Sequence, residues 1–309
     1  LRWGNVDNCF RISLGAIIHS FDLFDENYQF TFNQLKSKIT EMTSSASRLI
    51  IYLNFPNNPG GHMPSIREIE KLQNILKDVS IPTIILLDDA YEGYVYEDSG
   101  SNQKNPIPHS IFPYLLSLNE NIVPVKIDGP SKRFCAYGTR LGMISLGFQS
   151  ENDVITDSEL RKQGLNISEA FTKAARGHCS SAPRGIQEAL SKILSDKDKY
   201  KSVLEEKKAL KSLLEQRYRC LQREVHKQGS SSILKPLAIN SGFFGFYFIK
   251  GISAKVLAEQ LLENGLGVVP FENKKIGING IRIAFCSILE KDIPEAVEIF
   301  WRVSHDMIN

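Results

Sequence analysis

The sequence predicts an α/β fold: a mostly parallel sheet flanked by helices, followed by a smaller C-terminal α+β unit. Three observations lead there. Short, nearly all-apolar runs rich in β-branched residues recur through the first half, with helical patterns between some of them. Strand, helix, strand in repetition is the signature of a largely parallel sheet. The character then changes near residue 195, where a long charged amphipathic stretch begins, and beyond it short strands and helices alternate again.

In order, the candidate strands of the first unit are GAIIHSF (15–21), RLIIYLN (48–54), PTIILLDD (82–89), NIVPVKID (121–128) and LGMISLG (141–147). Several are apolar almost throughout, as strands buried on both faces should be. Between two of them, MPSIREIEKLQNILKDVS places Ile66, Ile69, Leu72, Ile75, Leu76 and Val79 mostly three or four apart, one face of a helix. Pro64 and Ser65 stand at its start, where a fixed φ and a capping oxygen are useful. The polar, proline-containing EDSGSNQKNPIPHS reads as an exposed loop. The stretch from Ser195 to Gly229 reads as one long helix connecting two domains, 1–195 and 196–309. After it come SGFFGFYFIKG, a helical pattern from Ser253 to Asn264, LGVVPF, IRIAFC and a final helix from about Glu290.

Bulk composition narrows the function classes. The 309 residues are 42% hydrophobic, enough for two cores, and the formal net charge is +2 with both signs mixed along the chain. A nucleic-acid binder would show a basic stripe or a markedly basic domain. No apolar run approaches the length of a membrane span, and no signal-like start is present. Five scattered cysteines without CxxC spacing argue against a metal site or a disulfide framework, so the expected setting is a reducing cytoplasm.

In an open parallel sheet, ligands bind beyond the carboxyl ends of the strands. There the sequence has NFPNNPGG after RLIIYL, DDAYEGYVY after TIILL, and DGPSKRF after NIVPVKI. Singly, each has a plain explanation: a turn, an N-cap, a solvated cation. Together, in this order, they are residues that can hydrogen-bond, titrate and form an imine.

The ordered set NNPGG, DDAY, SK and an arginine eight residues after the lysine resembles the class I/II aminotransferases, which are pyridoxal 5'-phosphate enzymes of fold type I. The likeness runs from RWGN near the start to IRIAF near the end. It implies that Lys132 forms the Schiff base with the cofactor aldehyde, and that the released amine shuttles the substrate proton. It implies that Asp88 pairs with the pyridinium nitrogen, and that Asn58 and Tyr91 hydrogen-bond the ring oxygen. Ser131 and Arg140 would belong to the phosphate cup, Trp3 would stack on the ring, and Arg282 would clamp the substrate carboxylate. On its own, an arginine between Ile281 and Ile283 of a strand is expected to face solvent. Two departures stand out: Gly129 occupies a position where many members carry Ser or Thr, and the glycine-containing phosphate loop that precedes the tryptophan in the family is absent from this sequence.

The resemblance thus implies transfer of an amino group from an amino acid to a 2-oxo acid, in a homodimer, with no metal, nucleic acid or membrane involved. Elimination by a carbon–sulfur lyase and decarboxylation share the scaffold and the lysine. A regulatory module that kept the fold without the chemistry is the alternative from another class.

Overall fold

The computed structural model describes residues 1–96, 105–116, 118–147, 157–180, 183–274 and 277–308. Two four-stranded sheets organise it. The first contains β1 (Leu49–Asn54), β2 (Thr83–Asp88), β3 (Ile122–Asp128) and β4 (Met143–Leu146) in that order. β1, β2 and β3 are parallel, and β4 runs antiparallel to β3. The register sets Asn54 beside Asp88 and Asp88 beside Ile127. All three parallel strands therefore end at one level, with polar residues.

Helices α1 (Asn33–Thr43) and α2 (Ile66–Lys77) cover one face of this sheet. Leu35, Ile39, Ile69, Leu72 and Leu76 pack there with Ile51, Leu53, Ile85 and Leu87. The predicted α2 is capped as its sequence suggests. The Ser65 hydroxyl accepts from the Glu68 amide, and the Glu68 carboxylate accepts from the Ser65 amide.

Three expectations are corrected. The strands are not buried on both faces: Ile50 is 59% and Ile84 40% exposed, while their neighbours Ile51 and Ile85 are buried. The apolar runs hid an ordinary alternation, because β-branched residues are used on both faces for backbone fit as well as burial. GAIIHSF forms no strand. It runs irregularly with Ile17 85% exposed, and it pairs with no strand among the described residues. The predicted exposed loop 97–110 lies outside the described residues up to 104. Its described remainder is tied down, with Pro106 bridged to Ser65 and both Ile107 and Ser110 buried.

Lys132 lies on α3 (Pro130–Arg133), a single turn between β3 and β4. α4 (Asp157–Cys179), α5 (Arg184–Ser195) and the 31-residue α6 (Lys197–Lys227) follow. The Asp196 carboxylate caps α6 by accepting from the amides of Asp198 and Lys199.

The second sheet has the order β5 (Leu234–Pro236), β6 (Gly245–Ile249), β8 (Ile278–Ile283), β7 (Val269–Asn273), all antiparallel. Its core joins Tyr247, Ile281 and Ile283 to Leu221 of α6, to Leu257 and Leu261 of α7 (Ala254–Glu263), and to Val297 and Phe300 of α8 (Ile293–Asp306). Tyr94 and Tyr96, from the loop after β2, also sit in this core.

Gly61 forms the seam between the two sheets. Its carbonyl accepts from the Asn240 and Ser241 amides and from the Ser241 hydroxyl. Its φ is +64°, and an added Cβ would stand 2.8 Å from the Phe244 carbonyl, so only glycine fits.

Candidate active site

The carboxyl end of β1 begins the site. The Asn54 side chain accepts from the Asn58 amide at 2.7 Å and donates to the Asp88 carbonyl at 3.0 Å. One amide thus locks the NFPNNPGG loop to the end of the next strand. Asn58 is buried, and its own amide donates to the Tyr91 hydroxyl at 3.2 Å. Its oxygen accepts from an Arg282 terminal nitrogen at 3.2 Å. Asn58, Tyr91 and Arg282 therefore form one hydrogen-bonded chain spanning both sheets.

Arg282 does not face solvent. With Ile281 and Ile283 buried in the second core, the intervening side chain turns toward the first sheet. Its guanidinium carbon lies 4.1 Å from the Phe244 ring centre and 5.7 Å from that of Phe271. Its Nε is buried without a hydrogen-bond partner. Burial pulls its proton affinity down, and the nearby Tyr91 and Cys286 pull it back up; a guanidinium stays charged regardless. Burial also pushes the Tyr91 hydroxyl up to about 12, with Arg282 working against that shift.

Asp88 is held by two donors. Tyr52 on β1 donates to Oδ2 at 2.6 Å, and the Ala90 amide donates to Oδ1 at 3.1 Å. Burial, then the charge of Asp88, raises the Tyr52 hydroxyl strongly, so it stays protonated and can donate to the carboxylate. Tyr52 was missed in the sequence. The signal was strand parity: it stands two residues before Asn54, on the same face of β1, next to the strand that ends in Asp88.

Lys132 is half-buried at the last turn of α3. Its carbonyl accepts from the buried Tyr94 hydroxyl at 2.9 Å. Its ammonium sits 5.8 Å from the Tyr137 ring centre, and the Arg140 guanidinium approaches the same ring at 5.0 Å. Arg140 is exposed, with a left-handed φ of 50°. Ser131 is the second residue of α3. Trp3 is 44% exposed and stands in the wall of a 720 Å³ cavity that Tyr52, Asn54 and Phe271 also line. The structure thus brings Asn58, Tyr91 and Arg282 into one chain. Asp88 is tied to it through Asn54, and Lys132 shares Tyr137 with Arg140.

Gly129 has a steric reason. A Cβ there would stand 2.7 Å from the Leu141 carbonyl, where the backbone leading into β4 crosses the start of α3. Among the described residues no cluster of His, Cys, Asp and Glu could hold a metal ion. No helix among them is long and apolar enough to cross a membrane.

The family model for aminotransferase class I and II matches residues 1–300. The chain belongs to that family. Among curated proteins, this aminotransferase-family chain is 26% identical over 281 residues to an aspartate aminotransferase of Sulfurisphaera tokodaii, covering 89% of the chain and 60% of the relative. An aspartate aminotransferase of Sulfolobus acidocaldarius is 26% identical over 151 residues, 49% of the chain and 32% of the relative. The chain therefore spans about three fifths of the length of the first and a third of the second. Among solved structures, an aminotransferase from Anaerococcus prevotii superposes with a TM-score of 0.79 at 21% identity, over 98% of this chain and 68% of that one. An aromatic aminotransferase from Pyrococcus horikoshii gives 0.64 at 23% identity, over 92% and 65%. These structural likenesses establish the family's α/β fold, two sheets flanked by helices.

Proposed function

We propose that this chain is a pyridoxal 5'-phosphate-dependent aminotransferase. It passes an amino group from an amino acid to a 2-oxo acid, as a homodimer in the cytoplasm. Residues 1–195 hold the cofactor, and residues 196–309 close on the substrate. The observation that carries this reading is the Arg282–Asn58–Tyr91 chain, in which a half-buried guanidinium retains a buried, unpartnered Nε–H beside a buried amide and phenol.

The donor set suits the cofactor. Asp88 accepts two hydrogen bonds, and a carboxylate has about four lone-pair sites, so it retains capacity for a pyridinium N–H. Tyr91, with its hydroxyl held near 12, is a donor at neutral pH and suits a ring oxygen, with Asn58 beside it. Lys132 has no carboxylate partner among the described residues, only the Tyr137 ring, and a lysine is a side chain that can form an imine with an aldehyde. Arg140 and Ser131 supply a cation and a hydroxyl near it for phosphate, and Trp3 supplies an aromatic face.

When bound, the cofactor supplies an aldehyde for covalent capture of amines and a ring that accepts an electron pair. The residues do the rest. Arg282 binds the substrate carboxylate through its fork and orients the amine. Asp88 would hold a proton on the ring nitrogen. The Lys132 amine would take the proton from the substrate α-carbon.

The test is to add pyridoxal phosphate, reduce with borohydride and map the pyridoxyl group by peptide mass spectrometry. Label confined to Lys132 is expected, with release of a 2-oxo acid from an added amino acid. Absence of label in a folded chain, or label scattered over surface lysines, overturns the reading.

A further inference from the structure

Behind the site lies a charged cluster that the proposed reaction does not use. Asp89, the second acid of DDAY, is fully buried at its side chain. Lys126 on β3 reaches three carboxylates: Asp128 at 2.9 Å, Glu92 at 3.2 Å and Asp89 at 3.5 Å. Arg133, the residue after Lys132, reaches Glu92 at 2.7 Å and Asp128 at 3.4 Å. From the loop after residue 104, Ser110 donates to Asp89 Oδ2. From α6, Lys207 donates to the Glu92 carbonyl at 3.3 Å.

We propose that Asp89, Glu92, Lys126, Asp128 and Arg133 form a clamp that positions α3, and with it Lys132, through the Arg133 guanidinium. This role rests on the reading of Lys132 as the reacting amine. The clamp itself exists whether or not a cofactor binds.

Burial and distance make Asp89 the variable member: its side chain is fully covered with Lys126 at 3.5 Å, while Asp128 and Glu92 keep some exposure and meet cations at 2.9 and 2.7 Å. Three carboxylates face two cations. With Asp89 protonated, the cluster without Arg133 carries one net negative charge; with Asp89 ionised it carries two. Arg133 is held more strongly in the second state. Asp89 Oδ1, like Asp128 Oδ1, is buried without a hydrogen-bond partner. Burial lifts this carboxyl to about 7, with Ser110 and Lys126 pulling down and Glu92 pushing up. Lys126 is itself raised: burial lowers it, but Asp128, Glu92 and Asp89 outweigh that. Lys207 is lowered by burial and by Arg133. The variable charge therefore falls near neutral pH, and the hold on α3 tightens as pH rises.

Global stability has the opposite sign, because complete unfolding hydrates Asp89 and favours its charged form. This opposition separates a positioning role from a merely structural one.

The experiment is hydrogen exchange at the amides of Phe134, Cys135 and Ala136, which close the α3 turn onto the carbonyls of Pro130 and Lys132. It is measured on the ligand-free chain from pH 5.5 to 8.5 and corrected for intrinsic exchange. One added charge at half-buried separations corresponds to about one pKa unit, so protection should rise about tenfold across pH 7. Asp89→Asn should abolish the rise. Ser110→Ala, which removes a donor from the carboxylate, should move its midpoint upward, and it serves if Asp89→Asn fails to fold. Protection that falls with pH alongside global stability, a rise that survives in Asp89→Asn, or a midpoint unmoved in Ser110→Ala overturns the proposal. Because no cofactor is present, none of these outcomes depends on whether Lys132 can be labelled.

Discussion

Replacing Tyr52 by Phe deletes one hydroxyl while the ring stays packed against Phe10, 6.2 Å away between centres. The lost bond runs to Asp88 Oδ2 at 2.6 Å. A hydrogen bond to an ionised acceptor contributes about 1.5–3 kcal/mol. Asp88 is half-buried, so water regains part of the freed oxygen, and the expected loss is about 1.5 kcal/mol. The assay is urea unfolding of Tyr52→Phe, Asp88→Asn and the double variant. On the Asp88→Asn background, where the acceptor is neutral, the Tyr52→Phe loss should shrink to about half or less. Equal losses in the two backgrounds would refute the coupling. The strongly raised Tyr52 hydroxyl also requires the same loss at pH 6 and pH 9.

Arg282→Lys keeps the charge but removes the planar fork. With substrate carboxylate bound through that fork, its affinity should fall about tenfold or more, while reductive labelling of Lys132 continues. Unchanged affinity in a substrate titration followed by cofactor absorbance would remove Arg282 from the substrate site. Asp89 sets a stability slope with pH. Its folded value is about 7 against an ordinary 3.8, so the folded chain holds the extra proton between those values. That contribution is full below about pH 4, is lost as pH rises toward 7, and amounts to ~4 kcal/mol by linkage. Urea unfolding at pH 5 and pH 8 should show wild type losing stability and Asp89→Asn losing less; a flat wild type would contradict the burial of this charge.

The polar ends of β1, β2 and β3 were legible because each apolar run stops at residues that cannot continue a buried strand. That rule places NFPNNPGG and DDAYEGYVY at the strand ends; the family resemblance singles out Asn58, Asp88 and Tyr91 within them. GAIIHSF shows its limit: a β-branched run states a preference, and only a neighbouring strand turns it into a sheet. Ile50 and Ile84 show another, since the alphabet of a strand does not say how many of its faces are covered. Arg282 was readable by parity but not by destination. Ile281 and Ile283 fixed which way it turns, and the second sheet's attachment at Gly61 of the NFPNNPGG loop brought it to Asn58 rather than water. The charged cluster was invisible for a similar reason. Asp89, Lys126 and Arg133 are spread over three elements, and nothing local marks them as neighbours.

The seam at Gly61 has a mechanical consequence. Its carbonyl is fastened to Asn240 and Ser241, three residues of chain away from Asn58. The short stretch of chain that ties the second sheet to the first therefore also carries the amide that Arg282 meets, and any shift at the seam is passed directly to that contact.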